Sequence, residues 1–117
     1  MKARLLGLGV TLLMFVGVSF AATSKTYTGE IMDSACAAMG SHEGMMKGNP
    51  KMTAKSCTLA CVQHGAKFVL FDAATKTVYQ LDDQTKPAQF AGAKVEVTGT
   101  LDDTTKTIHV ARIKAAS

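Results

Sequence analysis

The sequence predicts a small, mainly β domain in which five strands form a partly open antiparallel barrel and one helix follows the first strand. Three observations support this fold class. The chain has 117 residues, which is room for one domain with one modest core. Five short segments alternate apolar with polar residues or form apolar runs between turn residues. A sixth segment, residues 53–65, has helix signals at both of its ends.

The strands are predicted from period-two patterns and from the turns between them. Residues 25–32 alternate, and Gly29 among them indicates a bend or a bulge. The other four strands are predicted at residues 67–72, 77–81, 94–101 and 107–114, which pair as two hairpins by the short connections between them. Residues 87–91 are predicted to form one helical turn.

Residues 33–52 have no periodicity and are rich in glycine, which predicts a loop of about twenty residues. Long loops in small domains are usually functional, and this one contains Cys36, His42 and several methionines. The predicted helix follows it. Thr53 can accept hydrogen bonds from the first turn, and Gly65 can adopt the left-handed conformation that ends a helix.

The N-terminus has the pattern of a signal peptide. Lys2 and Arg4 precede the uncharged segment 5–18, and small residues at Ser19 and Ala21 predict cleavage after residue 21. As a helix that segment would measure about 21 Å, short of the ~30 Å of a membrane core, so no stable membrane anchor is expected. We therefore expect residues 22–117 to form a single domain in the periplasm or outside the cell.

Charge and motifs exclude several classes of function. The net charge is +4, and loss of Lys2 and Arg4 with the leader would leave +2, which is too weak for a nucleic-acid groove. The sequence has no nucleophile–histidine–acid motif, no glycine-rich phosphate loop and no Cys-x-x-Cys pair. We therefore predict a protein that is not an enzyme and has no catalytic residues.

The three cysteines carry the chemistry of the sequence. Cys57, Cys61 and His64 fall on one face of the predicted helix, and Leu59 and Val62 on the other could pack on the barrel. The cysteine face would meet the loop that contains Cys36 and His42. Thiolate and imidazole donors suit copper or zinc, and the nearby methionines favour copper(I), because thioethers are soft ligands.

A disulfide is the alternative interpretation of the same residues. Cys36 could pair with Cys57 or Cys61, closing a loop of about twenty residues and stabilising the domain by roughly 3 kcal/mol. The protein would then be a structural or interaction module that binds an envelope partner, with no metal. A third alternative is a thiol redox protein that uses the unpaired cysteine.

Three groups of residues resemble a family of small exported bacterial domains of unassigned function. The groups are Gly29-x-Ile31-x-Asp33-Ser34-x-Cys36, Cys57-x-x-x-Cys61-x-x-x-Gly65-Ala66-Lys67-x-Val69-Leu70 and Ala91-Gly92-x-x-Val95-x-Val97-Thr98-Gly99-Thr100-Leu101. The resemblance covers nearly the whole of residues 22–117. It implies an OB-like barrel with a cysteine-bearing helix, and often a histidine after the first cysteine. That histidine would be His42, at a longer spacing than is usual for the family.

Overall fold

A computed structural model describes residues 23–116, and the predicted signal peptide lies outside the described residues. The strands are β1 (Lys25–Asp33), β2 (Phe68–Asp72), β3 (Thr77–Leu81), β4 (Lys94–Asp102) and β5 (Thr107–Ala115). All five predicted strands are therefore confirmed, with bounds that differ from the prediction by at most one residue. A 3₁₀ helix at Lys86–Phe90 corresponds to the predicted single turn.

The five strands form one sheet that closes into a ring in the order β1-β2-β3-β5-β4, with β4 pairing back to β1. Four of the five pairings are antiparallel, as predicted. The fifth pairing, between β3 and β5, is parallel and short, with Gln80 opposite Thr107 and Leu81 opposite Ile108. The prediction of a wholly antiparallel barrel is wrong at this pairing. When the β2–β3 and β4–β5 hairpins close into a ring, β3 and β5 become neighbours and run in the same direction.

Three short α-helices lie between β1 and β2, where one was predicted. They are α1 (Ser34–Met39), α2 (Glu43–Met46) and α3 (Ala54–Gln63). Helix α3 is the predicted cysteine-bearing helix. The prediction of a structureless loop at residues 33–52 is wrong, because Asp33 caps the start of α1 and Gly40 ends it at a φ of 81°. Helices α1 and α2 are each too short to show a 3.6-residue period. None of the described helices is long and apolar enough to span a membrane.

Strands β1 and β2 bury side chains on both of their faces, and this produces two cores. The barrel core lies inside the ring and consists of Ile31, Phe68, Leu70, Leu81, Ala91, Val95, Val97 and Ile108. The sulfur core lies between the outer face of β1–β2 and the helices, and consists of Met32, Cys36, Ala37, Cys57, Val69 and Phe71. Leu59 and Val62 of α3 pack against the barrel core, and Cys61 packs against the sulfur core, as the helical-face pattern predicts.

The irregularity expected at Gly29 is found elsewhere in the sheet. Gly29 pairs in register with Val95, and a Cβ at this position would lie 2.5 Å from the carbonyl oxygen of Phe71. Glycine is therefore required there by the close approach of β2 and not by a bulge. The register shift occurs between Thr98 and Gly99, where β4 pairs with β5.

Candidate metal centre

Four side chains from two separate segments form the ligand cluster: Asp33, Cys36, Cys57 and Cys61. One carboxylate oxygen and the three sulfur atoms all lie within 4.8 Å of one another. Asp33 and Cys36 have no solvent exposure and Cys57 has almost none, whereas Cys61 is half-buried. Among the described residues, this group has the donor types and the spacing that can hold a metal ion.

The first half of the cluster is placed by the junction of β1 and α1. Asp33 ends the strand in an extended conformation and its Oδ2 accepts a hydrogen bond from the backbone N–H of Cys36 at 2.9 Å. This N-cap bond holds the carboxylate beside the Cys36 side chain, three residues on, at the start of a short helix. The second carboxylate oxygen, Oδ1, is buried and has no hydrogen-bond partner among the described residues.

The second half is placed by the two caps of α3. Thr53 and Ser56 form a reciprocal capping box at its start. At its end Gly65 adopts a φ of 104°, and the N–H of Ala66 donates to the carbonyl of Cys61 at 3.1 Å. This is the 6→1 hydrogen bond of a Schellman motif, and it attaches the turn that ends the helix to the backbone of Cys61.

A backbone clamp joins the two halves. Ser34 donates its N–H to the carbonyl of Lys67 at 2.8 Å, and the N–H of Lys67 donates to Ser34 Oγ at 3.1 Å. These two bonds join Ser34, which follows Asp33, to Lys67, which follows the turn at the end of α3. The Asp33-Ser34-x-Cys36 and Gly65-Ala66-Lys67 elements of the sequence therefore meet in space.

The three cysteines are free thiols, so the predicted disulfide is not formed. The Sγ atoms of Cys36 and Cys57 are 3.8 Å apart, whereas a disulfide bond measures about 2.05 Å. Two sulfur ligands at ~2.3 Å from one tetrahedral metal ion would lie about 3.8 Å apart. The observed separation is that of a hydrogen bond between the two thiols, and it is also compatible with two ligands of one ion.

The environment of the thiols favours their neutral form while no cation is bound. Burial raises the pKa of the Cys36 thiol far above its ordinary value, and the neighbouring Asp33 and Cys57 raise it further. Burial also raises the pKa of Cys61, again with contributions from Asp33 and Cys57. A bound cation reverses this balance, because it stabilises the thiolates and the carboxylate together.

The two histidines predicted as ligands lie outside the ligand cluster. His42 is buried at the start of α2, with Nε2 3.5 Å from Glu30 Oε1 on β1. His64 is exposed at the end of α3 and lines a cavity that also contacts Cys57 and Cys61. His109, expected at the surface, is exposed and lies 3.1 Å from Asp82.

Asp33 is the ligand candidate that sequence reasoning missed. The residue stands in the Asp33-Ser34-x-Cys36 motif, but the lack of periodicity predicts a loop there, and a loop gives Asp33 no helix to cap. The available signal was the spacing. An aspartate three residues before a cysteine, at the start of a helix, places carboxylate and thiol on the same side of the first turn.

A family model described as "Protein of unknown function (DUF5818)" matches residues 61–116. The match confirms the resemblance to an uncharacterised small domain family. It begins at Cys61 and covers β2 to β5, so it includes one of the four members of the ligand cluster and leaves out Asp33, Cys36 and Cys57. No curated protein and no solved structure matches the chain significantly.

Proposed function

We propose that this protein is an exported, non-enzymatic binding domain that holds one copper or zinc ion at Asp33, Cys36, Cys57 and Cys61. A single observation carries the proposal. Among the described residues, the buried Oδ1 of Asp33 has no hydrogen-bond partner, and one oxygen of the same carboxylate lies within 4.8 Å of three free thiols whose sulfur atoms are close enough to share an ion. Leaving a buried carboxylate oxygen unpaired costs about 1–3 kcal/mol, and a cation at this point would remove that cost.

The donor set is compatible with either ion, in two different ways. Zinc takes three thiolates and one carboxylate oxygen in a tetrahedral site. Copper(I) prefers the three sulfur atoms, and Asp33 would then stand beside the ion without ligating it. Both arrangements use a rigid, dehydrated set of groups that the Ser34–Lys67 clamp holds together.

We also propose that the scaffold is an OB-like barrel. The strand order β1-β2-β3-β5-β4 and the short parallel pairing of β3 with β5 support this assignment. In such a barrel the helices between β1 and β2 extend outside the sheet. The ligand cluster would then be an addition to a stable scaffold.

The proposed location is the periplasm or the extracellular space, and its support is the N-terminal sequence pattern. Thiols in such compartments are normally oxidised in pairs. A bound metal ion would keep three thiolates coordinated and protect them from oxidation. Metal binding therefore accounts for an odd number of cysteines that the disulfide interpretation leaves unexplained.

The test is metal binding by the full chain, purified without chelators and kept reduced under an inert atmosphere. We expect one equivalent of zinc or copper(I) per chain, with release of thiol protons on binding. Cys61→Ser and Asp33→Asn should each weaken binding of the preferred ion about tenfold or more. His64→Asn is the matched control at the end of the same helix, and it should bind as the wild type does.

Two outcomes would contradict the proposal. One is a reduced wild-type chain that binds neither ion in competition with a weak chelator. The other is unchanged binding by Cys36→Ser and Cys61→Ser, both shown to be folded by circular dichroism. If His64→Asn lost binding as severely as Cys61→Ser, His64 would belong to the ligand set, as the sequence alone predicts.

A further inference from the structure

A cavity of about 610 Å³ lies against the ligand cluster on one side. Its wall includes Cys57 and Cys61 from the cluster, together with Met45, Met52 and His64. The two methionines come from α2 and from the turn before α3. The cavity therefore joins the sulfur atoms of the proposed metal site to two thioethers and an imidazole.

The exposure of the cluster residues differs from one side to the other. Asp33 and Cys36 have no solvent exposure, because Asp33 ends β1 and Cys36 packs with Met32 and Val69 in the sulfur core. Cys61 is half-buried, and its exposed part faces the cavity. An ion that reaches the cluster without unfolding the sheet would therefore arrive through the cavity and meet Cys61 and Cys57 first.

The thioethers along this route are accessible. Met45 is 49% exposed, whereas Met52 is partly buried and packs against the sulfur core. Both side chains line the cavity, one largely open to solvent and the other packed against the sulfur core. Thioether sulfur binds copper(I) and gives zinc no advantage, so the lining of the cavity distinguishes between the two ions.

We infer, on the basis of the proposed function, that the cargo is copper(I) and that it enters and leaves through this cavity by ligand exchange. Met45 and Met52 hold the ion transiently, and Cys61 is the first of the three final thiolate ligands. The first two copper–thiolate bonds replace the bonds to the two thioethers, the third replaces the last bond to a ligand of the partner that supplies the ion, and each thiol loses its proton to solvent. Copper remains in the +1 state throughout, so the step needs no oxidant or reductant. The partner that supplies or accepts copper(I) must present it on exchangeable ligands of its own.

The experiment measures the rate of copper(I) uptake by the full, reduced chain. Copper(I) is supplied as its coloured complex with bicinchoninate, and loss of the colour is followed by stopped-flow absorbance. The double variant Met45→Leu, Met52→Leu preserves the apolar volume and removes both thioethers. We expect its uptake rate to fall about tenfold, while the final stoichiometry stays at the wild-type value.

Met39→Leu is the matched control. Met39 is also exposed, at 57%, but it lines a separate cavity with Gly40, Ser41 and Lys76. It should take up copper(I) at the wild-type rate. A second control replaces copper(I) with zinc, because zinc does not use thioether ligands. The double variant should therefore take up zinc at the wild-type rate.

Each remaining outcome has a defined meaning. If the double variant takes up copper(I) at the same rate as the wild type, the transient role of the thioethers is overturned and the proposed function is left intact. If the double variant binds less copper(I) per chain than the wild type, the transient role is overturned too, because the methionines would then be permanent ligands. Equal slowing of copper(I) and zinc would indicate that cavity shape matters and thioether chemistry does not. A wild-type chain that binds zinc and no copper(I) overturns the cargo assignment, and one that binds neither ion overturns the proposed function itself.

Discussion

The barrel core and the sulfur core lie on opposite faces of the same two strands, and they differ in what they leave unsatisfied. In the barrel core, Ile31 and Leu70 pack with other buried side chains, and all eight of its buried residues are apolar. In the sulfur core, Met32 and Val69 lie beside Cys36 and next to the unpartnered Asp33 oxygen. The first core consists of apolar side chains alone, whereas the second contains the groups that we propose as ligands of a cation.

Truncation in the barrel core should produce the largest change in stability. Leu70 is fully buried, and Leu70→Ala removes apolar atoms and leaves a cavity, so we expect a loss of about 3 kcal/mol in the free energy of unfolding. Urea denaturation of the metal-free chain measures this loss. The same loss should be found when metal is present. A cost that depended strongly on metal would contradict the independence of the two cores.

Metal addition should produce the next largest change, and it should depend on the sulfur core. An ion present at 100 times its dissociation constant raises the free energy of unfolding by about 2.7 kcal/mol if it binds the folded state only. We expect this gain in the wild type and in Leu70→Ala, and we expect Cys57→Ala to lose it. Thermal unfolding with and without the ion checks all three. A full gain in Cys57→Ala would remove that thiol from the ligand cluster.

The same comparison explains how much of the molecule the sequence predicts. The barrel core was predictable because its residues alternate along strands that are confirmed to within one residue, and because apolar periodicity is a strong signal. The cysteine-bearing helix was predictable from Thr53 and Gly65, which do cap it. Each of these features depends on local sequence alone.

The ligand cluster was predictable only in part. The meeting of Cys36 with Cys57 and Cys61 followed from a helix face directed at the preceding segment. The exclusion of His42 did not follow, because α1 and α2 turn the chain so that His42 lies against Glu30 on β1. The role of Asp33 depends on a hydrogen bond that exists only once α1 has formed. These tertiary contacts cannot be inferred from the spacing of the residues in the sequence.

A smaller effect should distinguish the cores at alkaline pH in the absence of metal. The folded state raises the pKa of Cys36 above its ordinary value of 9.0, chiefly by burial. The stabilisation is therefore fully present below pH 9 and is lost as pH rises, because the unfolded chain ionises first. We expect a loss of roughly 1 kcal/mol between pH 9 and pH 10. Urea denaturation at each pH measures it, and Cys36→Ala should show a flatter profile. Metal affinity should change in the opposite direction and increase with pH, because binding requires thiolates.

The smallest effect should occur at acid pH and belong to the barrel. Asp82 follows β3, and its carboxylate accepts a hydrogen bond from the N–H of Val110 at 2.9 Å and lies 3.1 Å from His109. The N–H of Val110, and then His109, lower the pKa of Asp82 below its ordinary value of 3.8. The stabilisation is thus present above pH 4 and is lost as pH falls through the lower value.

Because the Asp82 side chain is 42% exposed, solvent screens this pair and the change should be small. Asp82→Asn should flatten the acid limb of the stability profile between pH 4 and pH 2, as measured by urea denaturation. Asp103→Asn is the control, since its side chain is 86% exposed on the next hairpin, and it should leave the acid limb unchanged. Neither substitution should alter metal binding at neutral pH. An effect of Asp82→Asn on metal affinity would show that the closure of the ring between β3 and β5 is coupled to the ligand cluster, and the two cores would then have to be treated as one unit.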